Sequence, residues 1–149
     1  MKRWKTRRSS LWVMTVLVFI ILGVAGIGLY IYMAYMVPHQ KLNSWLLTTG
    51  VTELSQMDRT EIREVCHQVI SHRLGNHHDA FLALEQVGNH ESIPLLIRAS
   101  SWHPVNPDGL TICTSNHCQD ALKKITGYTE AVTTEQWESW WEQNRKEFK

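Results

Sequence analysis

Residues 11–36, LWVMTVLVFIILGVAGIGLYIYMAYM, form a run of 26 residues without a single charged side chain. As an α-helix the run is about 39 Å long at ~1.5 Å per residue, and a bilayer core needs ~20 apolar residues. In hydrocarbon a backbone must satisfy its own hydrogen bonds, so the run predicts one membrane-spanning helix. A cleaved signal peptide fits less well. Its apolar region usually spans only ~7–15 residues, and AYMVPHQ is a poor match to a small-residue cleavage site.

Charge then predicts orientation. Lys2, Arg3, Lys5, Arg7 and Arg8 precede the run, whereas the first acidic residue is Glu53. Cations on one flank favour a cytoplasmic N-terminus in the cell (inner) membrane, with the C-terminal part extracytoplasmic, or periplasmic. Trp4 and Trp12 at one end and Tyr30, Tyr32 and Tyr35 at the other suit interfacial belts. Gly23 and Gly26 share a helix face with Tyr30, a notch against which another membrane helix can pack. Pro38 is expected to end the span. Leu42, Trp45 and Leu46 then lie at helical spacing, in either a short interfacial helix or a linker packed on the following domain. The expected organisation is 1–10 basic tail, 11–36 span, 37–57 linker or interfacial helix, and 58–149 helical domain.

Residues 53–149 hold 9 basic and 14 acidic residues, a net of −5. An anionic body argues against a nucleic-acid partner, which demands clustered Lys and Arg. From residue 57 onward the apolar period is that of a helix. Asp58 reads as an N-cap with Glu61 at the third position and Met57 and Ile62 as a staple; Ile62, Val65, Cys66, Val69 and Ile70 form the stripe. A second helix starts near Asn76 and closes at Gly88, and a third opens around His90–Ser92 with Pro94 in its first turn. Residues 101–114, with two prolines and a glycine, read as a loop, with Asp108 in a turn; a fourth helix is expected from Ser115 or Asn116 to Gly127. In the last helix Thr133 and Gln136 form a capping box, Val132 staples to Trp137, and Trp137, Trp140, Trp141 and Phe148 share a face. The three tryptophans read as a structural lid on a helical core.

The stretch DAFLALEQVGNHESIPLLIRAS (79–100) resembles HEAT-like repeats of the bacterial phycobilisome-lyase-like kind: an Ala/Leu-rich helix, a Gly turn, then a helix opening Ile-Pro-Leu-Leu. DALKKITGYTEAVTTEQWESWW (120–141) looks like the closing segment of many such proteins. The resemblance covers roughly 58–145. It implies an all-α protein with a short α-solenoid of about two helical pairs, closed by the Trp-rich helix, and a protein-binding role; it carries over no lyase activity. Family members string several repeats together, and short solenoids need a cap. Either the Trp helix serves as that cap, or the domain leans on a partner or on the loop at 101–114.

Chemistry-bearing residues are few. Cys113 and Cys118 flank TSNH, and in an oxidising compartment they are candidates for a disulfide. The same stretch suggests a rival reading, a thiol-redox or zinc protein using Cys113, His117 and Cys118, with His103 as a further ligand. The order does not fit a C-x-x-C-H haem site or paired structural-zinc ligands, so no metal or cofactor is expected. His77, His78 and His90 fall at predicted turns, where exposed histidine is unremarkable. Phosphate-cradling Gly loops, nucleophile elbows and H-E-x-x-H are absent from the sequence, and no enzyme is expected. Trp102 and His103 are the candidate partner contact, Trp102 as an exposed anchor. The expected function is a membrane-anchored scaffold that recruits a protein at the outer face of the membrane. The close alternative is an accessory subunit of a larger integral membrane complex. Membrane lipid is a partner in either case.

Overall fold

A computed structural model describes residues 3–49, 58–104 and 113–148. The described residues are helical, with no strand among them: α1 (Arg3–Ile31), a π-helical turn (Tyr32–Met36), α2 (Val37–Thr49), α3 (Arg59–Ile70), α4 (His77–Val87), a 3₁₀ turn (His90–Ser92), α5 (Ile93–Ser100), α6 (Cys113–Thr126) and α7 (Thr134–Asn144). The staple expected from Met57 and the turn expected at Asp108 lie outside the described residues. The chain divides into two compact units, Met1–Met36 and Val37–Lys149.

The first unit carries one long apolar helical stretch behind a charged start. Every side chain from Trp12 to Met33 is exposed, and the helix is long and apolar enough to cross a membrane. Pro38, expected to end the span, is the second residue of α2 and is buried. Proline normally breaks a helix by crowding the preceding turn and removing a donor. Here the preceding turn is π-helical, the wider form that interrupted hydrogen-bond ladders adopt.

The second unit has its own core, and α2 belongs to it. Leu42 is buried, Trp45 and Leu46 are half-buried against the same core, and α2 packs on α3. Gly75, in the turn between α3 and α4, lies so close to His39 of α2 that a Cβ there would meet the imidazole at 2.3 Å, and its φ of +156° also disfavours any other residue.

Local signals account for the helix ends. Asp58 accepts from the backbone N–H groups of Thr60 and Glu61, starting α3, and Asn76 accepts from Asp79 N, starting α4. The arginines of α3 then tie down the far end of α4: Arg59 Nη2 donates to Gln86 O at 2.7 Å and Arg63 Nη1 to Val87 O at 3.3 Å. Cations at a helix C-terminus satisfy carbonyls that have no intrahelical partner. Pro94 sits in the first turn of α5, where its missing N–H costs nothing. Gly127 closes α6 in the left-handed region, φ +72°, its N–H on Lys123 O.

α6 begins at Cys113, two to three residues before the expected start. In α7 the capping box is present: Thr133 Oγ1 accepts from Gln136 N, and Gln136 Oε1 accepts from Thr133 N at 3.0 Å. The expected staple differs, because Val132 is exposed and Ala131 is the buried residue before the cap. The helix ends at Asn144, yet Phe148 still packs on Trp140 and Trp141.

Trp137 is fully buried and its indole Nε1–H donates to Gln119 Oε1 at 2.6 Å, so an apolar ring is buried without orphaning its polar edge. Trp140 is half-buried, stacked on Tyr128 with centroids 5.6 Å apart. Trp137→Ala should therefore cost about 3–5 kcal/mol, the usual cost of emptying an aromatic core site. Trp141→Ala, at a half-exposed position, should cost clearly less. Denaturant unfolding of the detergent-solubilised chain, followed by helical circular dichroism, compares the two.

Candidate functional site

The chemistry-bearing side chains collect where the first turns of α4 and α6 meet and where α5 ends. Two groups form there, from consecutive histidines of α4.

His77, placed by the sequence at an exposed turn, is buried. Its Nε2–H donates to His72 O at 2.7 Å, which leaves Nδ1 as an acceptor for His103 Nε2–H, also at 2.7 Å. Trp102 lies against the same ring, centroids 5.6 Å apart, with the Arg98 guanidinium 5.9 Å from its own centroid. Trp102 is thus half-buried and packed on the core. That corrects the expectation of an exposed anchor: the helical turn after α5 folds the indole back onto His77. His103 is likewise committed to His77. Burial lowers the pKa of both rings, and of His67, whose Nε2 is 2.8 Å from Ser92 Oγ.

The next residue faces the other way. His78 Nδ1 is 2.9 Å from Asp79 Oδ1, and its Nε2 is 3.3 Å from Cys113 Sγ. His117 meets the His78 ring edge-on, centroids 4.9 Å apart. One donor atom each from His78, Cys113 and His117 lies within 4.8 Å of the others, the one such His/Cys/carboxylate group found among the described residues. Cys113 and His117, four apart, share a face of α6, as chelating pairs on helices do. His117 Nδ1 is buried with no hydrogen-bond partner in the protein.

Cys118 takes no part. It is fully buried and its thiol points to Leu96 O at 3.5 Å, burial holding its pKa well above the usual range. The disulfide expected between Cys113 and Cys118 is absent, and both thiols are free. Both residues are on α6; five positions apart they are separated by ~7.5 Å of rise and about 140° of rotation, beyond disulfide reach. Cys66 is a third free thiol, its pKa pushed up to about 12 by burial.

Of the metal ligands suggested by the sequence, the structure brings together Cys113 and His117, leaves out Cys118 and His103, and adds His78. The sequence places His78 at a turn and gives no sign of this role; it is the second residue of α4, two after the Asn76 cap. Comparison with family models, curated proteins and solved structures found no match to this chain.

The buried histidines make stability depend on pH. Their folded pKa values lie below the unfolded value of ~6.5, so the unfolded chain binds more protons as pH falls below that value. Stability from this source is complete above ~6.5 and is lost as pH falls through the lowered folded values. The melting temperature should therefore drop on acidification across this window. His103→Gln, which keeps a donor toward His77 but removes one titrating ring, should flatten the dependence. Thermal melts of both chains at a series of pH values check it.

Proposed function

We propose that the chain is a single-pass membrane protein whose helical domain binds another protein at the outer face of the membrane. The observation carrying this reading is the pairing of an exposed, uncharged helix long enough to span a bilayer with a second unit that buries its own core. A soluble domain has no use for such a rod, since an exposed apolar surface of that size demands lipid or a partner. Five cations before residue 9 support a cytoplasmic N-terminus and an extracytoplasmic domain in the inner membrane.

The packing supports a short HEAT-like solenoid. α3 packs on α4 and α5 on α6 as pairs; α3 meets α5 and α4 meets α6 between pairs; α7 then rests on α5, where the first helix of a third pair would lie. In this reading Trp137, Trp140 and Trp141 close the stack, which is what a solenoid of two pairs needs. The partner surface moves from Trp102 to the groove between α5 and α7. Ile97 and Trp141 line it, with Arg98, Glu138 and Glu142 also at its wall. A half-buried tryptophan flanked by charges of both signs suits a protein contact.

A second reading, an accessory subunit held through its span, is favoured by Gly23 and Gly26, at neither of which an added Cβ would meet anything within 4 Å. The test uses intact membranes. A photo-crosslinking residue at Glu138 should give a discrete adduct with one protein, and the same residue at Arg73 should not. The chain should stay in the pellet after alkaline carbonate extraction. Release by carbonate sinks the anchor, and an adduct that survives Trp141→Ala unchanged sinks the groove. Loss of the adduct only when the span is replaced by an unrelated apolar helix moves the contact to the membrane.

A further inference from the structure

The geometry points to a mononuclear binding site for a zinc-class divalent cation, held by His78 Nε2, the Cys113 thiolate and His117, beyond the scaffold role proposed above. Donor chemistry comes first. Two imidazoles and one thiolate are the ligand types that select a borderline-soft ion, and three protein ligands leave a fourth position for solvent or an outside group. Cys113 is exposed, so that fourth position opens to solvent.

Distances agree. With metal–sulfur and metal–nitrogen bonds of ~2.3 and ~2.05 Å, a tetrahedral ion holds S and N roughly 3.5 Å apart. His78 Nε2 and Cys113 Sγ are 3.3 Å apart, and all three donors fall within 4.8 Å.

The surroundings are built for it. Asp79 Oδ1 holds His78 Nδ1 at 2.9 Å, which fixes the tautomer with its lone pair on Nε2, facing the thiol. Asp79 is itself held by Asn76 Nδ2, and Asn76 caps α4. A carboxylate behind a ligating imidazole is the usual outer partner in such sites. On the other side, the buried Nδ1 of His117 is an unpaired polar atom that the protein leaves without a partner. On binding, the Cys113 S–H bond breaks, its proton goes to solvent, and the thiolate electron pair forms the metal–sulfur bond.

The test uses the full chain in detergent, stripped with a chelator and titrated with Co(II). One equivalent should bind, with a near-ultraviolet thiolate-to-cobalt band that one equivalent of Zn(II) removes. Cys113→Ser should abolish the band, and His78→Ala and His117→Ala should weaken binding by more than about tenfold. Asp79→Asn should keep the band and weaken binding by about tenfold, the usual effect of losing an outer partner. Cys118→Ala should retain both. A measurement on the unmodified chain guards against misfolded variants. One equivalent of Zn(II), but not Mg(II), should slow alkylation of Cys113 at least about tenfold. Absence of saturable Co(II) binding, a band that survives Cys113→Ser, or alkylation indifferent to Zn(II) overturns the site.

Discussion

Burial of α4 between α3 and α6 is the contact on which the rest of the second unit depends. Ala80, Phe81, Ala83, Leu84 and Val87 are all essentially inaccessible, so α4 is apolar on more than one side. A helix with a single stripe needs one neighbour, and a wide one needs two. Alanines at 80 and 83 permit close approach, and the leucine and phenylalanine fill the space beyond them. Because α4 is held on two sides, its first turn is held as well. That turn carries His77 inward and His78 toward α6, so two adjacent residues of one type serve opposite ends: one is a core histidine, the other a surface donor.

What was legible in the sequence was local. Asp58, Asn76 and the Thr133–Gln136 pair each mark a helix start by chemistry that acts over three residues, and each was found where the structure has it. Apolar stripes gave the core, from Ile62 to Trp137. The illegible part was tertiary. Nothing near His78 announces a thiol 35 positions away, and nothing near Trp102 says that its ring folds back on His77. Cys113 is deceptive in sequence for a related reason. Prolines and a glycine before it suggest loop, while packing of α6 on α4 extends the helix back to the cysteine and so separates it from Cys118. Pro38 shows the same limit, since the wider turn before it that lets it sit inside helix is not written in the residue itself.

Oxidation state follows from the same packing. Of three cysteines, two are sealed in apolar surroundings that hold them as thiols. The third stands at the start of α6 beside two imidazoles. A chain whose accessible thiol chemistry is confined to one position responds to its surroundings there and nowhere else among these residues.

One last feature concerns mechanics. The unit's first helix, α2, is joined to its neighbours through buried Leu42, the ion pair between Lys41 and Glu61, and the close fit of His39 against Gly75. Tension applied to the chain at Val37 is thus borne by the seam between α2 and α3 before it reaches α4. A pull at that end would load this seam first and the deeper helices last.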